Sequence, residues 1–141
     1  MVGHHLNPFR SGVARFNEIL AERLDVPLAG LHELSDDAPA HPLVSLKFGE
    51  LDADGQTLLA RLFERAPAWS LFLHDFARLP LELQGIEGAA RVWCGNHQIQ
   101  AELAELTDAA EVAWAPGLVS DLRAFEPASI SVFSFGMAHK I

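Results

Sequence analysis

Residues 7–17 read Asn7-Pro8-Phe9-Arg10-Ser11-Gly12-Val13-Ala14-Arg15-Phe16-Asn17, a polar, glycine-containing loop that runs straight into an amphipathic helix. A short apolar stretch precedes it, so the layout is strand, loop, helix. In that layout the free backbone N–H groups at the helix start can face an anion such as phosphate. Gly12 lets a backbone approach a ligand closely, Ser11 suits an N-cap, and Arg10 and Arg15 suit phosphate or carboxylate. On spacing alone, a tight turn with two exposed arginines would look the same. A second place for chemistry is His74-Asp75, directly after an apolar run. A histidine there can bond a sugar hydroxyl or move a proton; its plain structural role would be to end the strand and pair with Asp75. Gly95-Asn96 and Pro116-Gly117 end two further strand-like runs.

Other chemistries find little support. Neither GxGxxG nor GxxxxGK followed by Ser or Thr occurs, so no nucleotide fingerprint is present. HExxH and the Gly-x-Ser-x-Gly elbow are also missing. Adjacent strand residues point to opposite faces, so His4 and His5 are not expected to share a metal. His32, His41, His97 and His139 are scattered and read as solvated. Cys94 falls in an apolar strand and reads as inert. Trp69, Trp93 and Trp114 read as core, and Asp36, Asp37, Asp52 and Asp54 as loop residues and caps. No metal and no cofactor is expected.

The elements that position these residues follow from periodicity. Val13, Phe16, Leu20 and Leu24 recur at helical spacing and predict a helix over 12–24 that buries them. Residues 26–31, 43–48, 69–73, 91–94, 112–114 and 129–135 read as strands. Helices are expected from about 54 up to Pro67, over 80–89 with Pro80 in the first turn, and from Asn96 through Leu106. Residues 35–42 read as a loop. The alternation implies an α/β class: a Rossmann-like three-layer domain, a mainly parallel sheet flanked by helices. In such sheets ligands gather beyond the carboxyl ends of strands. The loops at His4 to Gly12, His74-Asp75, Gly95-Asn96 and Pro116-Gly117 would share that rim.

Bulk properties bound the function. The chain has 141 residues, half of them hydrophobic and 21% charged, ordinary for one globular domain. A net charge of −9 argues against a nucleic-acid partner. No apolar run approaches the ~20 residues that span a bilayer, and no signal peptide is visible. One cysteine allows no internal disulfide and suits a reducing compartment.

With these segments placed, the sequence resembles the N-terminal domain of bacterial GT-B glycosyltransferases of the retaining family 4 type. The resemblance rests on residues 4–17, on Leu71-Phe72-Leu73-His74-Asp75, on Arg91-Val92-Trp93-Cys94-Gly95-Asn96 and on Val112-Ala113-Trp114-Ala115-Pro116-Gly117. Residues 133–140 look like the first strand and loop of a second domain. The resemblance implies an acceptor-side domain over 1–128, with 129–141 as crossover strand and the start of the second domain. It implies hexosyl transfer from a nucleotide sugar to a cell-surface glycan or lipid-linked acceptor, in the cytoplasm or at the inner membrane. It places His74 near the transferred sugar as the catalytic position. Arg10, Ser11, Gly12, Arg15, Asp75 and Asn96 fall on the substrate and phosphate side. The common Gly-Gly pair of the first loop is missing, and so is the Glu-containing segment that meets the donor. A chain of this extent is therefore expected to be inactive alone. The alternative is a non-catalytic interaction or oligomerisation module on the same core, including a homo-oligomer; a lone anion-binding domain is a third.

Overall fold

The computed structural model describes residues 1–34, 39–106 and, for the backbone, 111–114. In chain order the elements are β1 (Val2–Gly3), α1 (Gly12–Leu24), β2 (Ala29–Gly30), β3 (Leu43–Leu46), α2 (Ala53–Arg65), β4 (Ser70–Leu73), α3 (Pro80–Gly88), β5 (Arg91–Cys94), α4 (His97–Ala104) and β6 (Glu111–Trp114). Single 3-10 turns occupy Leu31–Glu33 and Phe48–Glu50.

Among the described residues the six strands form one sheet in the order β2-β1-β3-β4-β5-β6, and every pairing is parallel. This is the Rossmann-like α/β arrangement expected from the sequence. Strand side chains alternate between two faces. Val44, Leu46, Leu71, Leu73, Val92 and Cys94 enter one core with Leu59, Leu62 and Phe63 of α2, Ile86 of α3, and Ile99 and Leu103 of α4. On the other face α1 lies against β3 and β4. Asn17 bonds Ser45, and the Phe16 ring sits 4.6 Å from that of Phe72. Helices on both faces make the domain three-layered.

The helices begin where capping chemistry allows. Ser11 caps α1 by accepting from the Ala14 N–H, and Asp52 caps α2 by accepting from Gly55. Asp25 ends α1 in the left-handed region at φ 52°, a conformation that aspartate tolerates better than most residues. Pro80 opens α3, where its missing N–H is not needed.

Three expectations need correction. Helix α1 does not bury the stripe of Val13, Phe16, Leu20 and Leu24. Its inward residues are Ala14, Asn17 and Ala21, while Leu24 is 52% exposed. Small residues let the helix approach the sheet, and the large ones flank the contact. The strand expected over 26–31 is only Ala29–Gly30, because Leu31 begins a 3-10 turn. His4 and His5 lie beyond the end of β1, so strand alternation does not separate them, and their rings are 5.5 Å apart. His32 and His41 are exposed, as expected, though the His32 ring comes within 6.4 Å of His4 and His41 lies 3.2 Å from the Ser70 hydroxyl. The expected domain boundary at 128/129, the strand over 129–135 and Pro116-Gly117 lie outside the described residues.

Gly88, the last residue of α3, faces the ring of Trp69. A Cβ there would lie 2.7 Å from Trp69 Cη2 and closer still to Cζ2. Two contacts hold the indole in place. Its Nε1–H donates to the Gly85 carbonyl at 2.8 Å, and its ring stacks on Phe63 at 4.8 Å. We expect Gly88→Ala to destabilise by about 1–3 kcal/mol, because overpacking outweighs the ~1 kcal/mol that alanine gains in helix propensity. Urea denaturation should show a lower midpoint at unchanged slope.

Candidate functional site

The chain runs outward from β1 to β2 on one side and from β3 to β6 on the other. The reversal opens a crevice between β1 and β3 at their carboxyl ends, where ligands of such sheets bind. A cavity of about 440 Å³ lies there, lined by His5, Arg10, Ser11, Gly12, Val13, Phe16, Lys47, Glu50 and His74. Loops after β1, β3 and β4 thus converge on one space.

The α1 side of the cavity is open. Gly12 holds the first helical position, and a Cβ built on it meets nothing within 4 Å. The fold itself does not demand glycine there. Arg10 is exposed, and its guanidinium makes no hydrogen bond or ion pair within the described residues. Lys47 follows β3 and lies 3.3 Å from Glu50 and 3.9 Å from Asp75, so its charge is shared.

His74 forms the floor. Its ring lies between Phe16, edge-on at 4.9 Å, and Phe72 at 5.0 Å. Its Nε2 is 2.9 Å from the Ser45 hydroxyl. Ser45 Oγ is in turn 2.6 Å from Asn17 Oδ1, and Asn17 Nδ2 donates to the Ser45 carbonyl at 2.8 Å. Both partners are buried, Asn17 at 1% exposure and Ser45 at 0%. Gly3 of β1 makes space for this network, since a Cβ there would lie 2.8 Å from Asn17 Nδ2. Burial first, and then the Lys47 charge, push the His74 pKa down to about 4 against a smaller opposing pull from Glu50. The imidazole is therefore neutral at physiological pH.

Of the residues singled out from sequence, Arg10, Ser11, Gly12 and His74 line the cavity. Arg15 points elsewhere and pairs with Glu18 on the exposed side of α1. Asp75 stands behind Lys47, with one buried carboxylate oxygen, Oδ1, lacking a hydrogen-bond partner among the described residues. Asn96 caps α4 through the Ile99 N–H at 2.9 Å and does not line the cavity. Asn17, Ser45, Lys47 and Glu50 carry much of the site without having been singled out. Lys47 and Glu50 follow a strand end and were findable by position.

Cys94 is fully buried, and burial raises its thiol pKa, which suits a core residue. Among the described residues no group of three His, Cys, Asp or Glu side chains is placed to hold a metal ion, and no helix is long and apolar enough to cross a membrane. Comparison with known proteins gave no significant match to a family model, a curated protein or a solved structure.

Proposed function

We propose that this chain is a ligand-binding α/β domain that holds the phosphoryl end of a nucleotide sugar, as the acceptor-side domain of a GT-B hexosyltransferase of the retaining family 4 type. The observation that carries this reading is the convergence of Arg10, the open Gly12 turn and neutral His74 in one switch-point cavity. A guanidinium beside a helix start, without a partner among the described residues, favours an anion. A neutral imidazole between two phenyl rings favours a hydroxyl-bearing, uncharged group next to it. The transfer itself uses a donor-binding partner domain and a glycan or lipid-linked acceptor, in the cytoplasm or at the inner membrane surface.

Calorimetric titration with UDP and UDP-glucose tests this. Saturable binding is expected. Arg10→Ala should weaken UDP by about tenfold or more, the worth of a charge-assisted hydrogen bond. Gly12→Val should abolish binding while leaving the melting temperature within about 2 °C, because only a ligand would meet the new side chain. No saturable binding of either ligand by the wild-type chain would sink the reading.

A specific feature favours the second reading, an interaction module. Leu20, Leu24, Leu43, Phe72 and Trp93 line an apolar groove of about 250 Å³ on the α1 face. A concentration-dependent dimer in sedimentation, abolished by Leu24→Glu, would support self-association through that groove.

A further inference from the structure

The Asn17–Ser45–His74 network determines where the protons lie. Asn17 Nδ2 must be the atom facing the Ser45 carbonyl, because the flipped amide would set two acceptors 2.8 Å apart. Asn17 Oδ1 therefore faces Ser45 Oγ, and having no hydrogen it can only accept. The single hydroxyl hydrogen of Ser45 is spent on that 2.6 Å bond. Toward His74 Ser45 Oγ has only a lone pair to offer, so the 2.9 Å contact requires a hydrogen on Nε2. In a neutral imidazole the other nitrogen, Nδ1, is then bare. Nδ1 makes no hydrogen bond within the described residues, and it is not a buried orphan.

We propose that Asn17 and Ser45 are positioning residues that lock His74 as its Nε2–H tautomer, so that Nδ1 accepts a hydrogen bond from a hydroxyl of the ligand in the switch-point cavity. The ligand class this selects carries a hydroxyl donor, such as the sugar of a nucleotide sugar, beside its anionic end. The tautomer assignment stands on the network alone; the hydroxyl contact rests on the reading of the cavity as a nucleotide-sugar site. Without Asn17 the logic inverts. The Ser45 hydrogen becomes available to Nε2, and the proton moves to Nδ1, turning the ligand-facing nitrogen from acceptor to donor. A role in packing alone would not move that proton.

Long-range ¹H–¹⁵N correlation spectra of the full chain labelled in histidine test the first half at neutral pH without ligand. His74 should show one tautomer, protonated at Nε2. Asn17→Leu should switch it to Nδ1–H, and Ser45→Ala, the milder change, should yield a mixture. An Nδ1–H form or a mixture in the wild-type chain overturns the proposal. Titration of UDP-glucose against UDP tests the second half. The wild type should prefer UDP-glucose by about tenfold, one net hydrogen bond. Asn17→Leu or Ser45→Ala should shrink that preference below about threefold. UDP binding with no preference for the sugar overturns the hydroxyl contact alone; binding of neither overturns the cavity reading and leaves the tautomer result to stand on the spectra.

Discussion

Glu82→Ala should destabilise the domain by about 2–4 kcal/mol, the loss of one acceptor shared by two backbone donors. Glu82 is the third residue of α3 and is 0% exposed. Its Oε2 accepts from the Ala77 N–H at 3.0 Å and the Leu79 N–H at 3.3 Å. Leu79 stands at the N-cap and has no side-chain oxygen with which to cap, so Glu82 satisfies the helix start alone. The same bonds hold the turn in which Arg78 adopts φ 58°, a left-handed conformation costly for a non-glycine residue. Alanine removes the acceptor and leaves both donors facing a dry interior.

Glu82→Gln separates hydrogen bonding from charge. Its amide oxygen can replace Oε2. Burial, opposed by the backbone hydrogen bonds and assisted by the Asp75 charge, holds the Glu82 carboxyl above its ordinary range. The folded chain then binds this proton more tightly than the unfolded chain. Stability from this group is fully present below the ordinary carboxyl pKa near 4.5 and is lost as pH rises toward the folded value. Asp75 Oδ1 and Glu82 Oε1 are both buried without a hydrogen-bond partner among the described residues, and the Asp75 charge adds to the cost of ionising Glu82. Glutamine does not titrate. Chemical denaturation at pH 4.5 and 7.5 should show Glu82→Gln gaining on the wild type as pH rises, with Glu82→Ala less stable than both throughout. A Gln variant as unstable as Ala would refute the capping account.

Much of this arrangement was legible because local chemistry announced it. Ser11 ahead of a periodic stretch, Pro80 at a helix start and the apolar run before His74 all describe their own surroundings. The βα-loop rule places Arg10, Ser11, Gly12 and His74 on one rim from the sequence alone. What escaped depends on partners far along the chain. Asn17 looks like a surface residue of a helix until its partner Ser45, 28 positions away, is seen. Ser45 sits inside an apolar run that gives no reason to separate it. Glu82 reads as an exposed charge on a short helix, yet tertiary packing buries it. The inward face of α1 was misread for a related reason. Periodicity weights large side chains, while close helix–sheet contact selects small ones. Asn96 and Arg15 were expected on the substrate and phosphate side, but the first spends its side-chain oxygen on a cap and the second pairs with Glu18 on the exposed side of α1.

Acidification should expose His74 as a second weak point, with the opposite sign. The unfolded imidazole titrates near 6.5, and the folded one near 4. Between those values the unfolded chain carries the extra proton, so stability rises with pH there. It is fully present above about pH 6.5 and falls away as pH drops toward 4. The shift amounts to roughly 3 kcal/mol at about 1.4 kcal/mol per pKa unit. The groups around the ring explain why protonation is resisted. Phe16 and Phe72 flank it, Lys47 repels a second cation, Glu50 opposes that only partly, and Ser45 Oγ already receives a hydrogen from Nε2 in the neutral form. Protonation would put a hydrogen on Nδ1 as well and a charge on a ring held between two phenyl rings. His74→Gln retains an N–H for Ser45 but cannot titrate. Denaturation midpoints from pH 4 to 7 should fall steeply for the wild type, while the Gln variant flattens that slope by about one proton and overtakes the wild type, or closes on it, toward pH 4. Parallel pH profiles would mean that the charge reaches solvent and that the ring is not held as the structure shows. The same neutrality makes the ring usable to a ligand, for an imidazolium at this depth would have no lone pair to offer a hydroxyl. Stability should therefore begin to fall near pH 6.5, where the unfolded imidazole titrates, whereas the sugar preference should persist until the folded ring takes up its proton near pH 4.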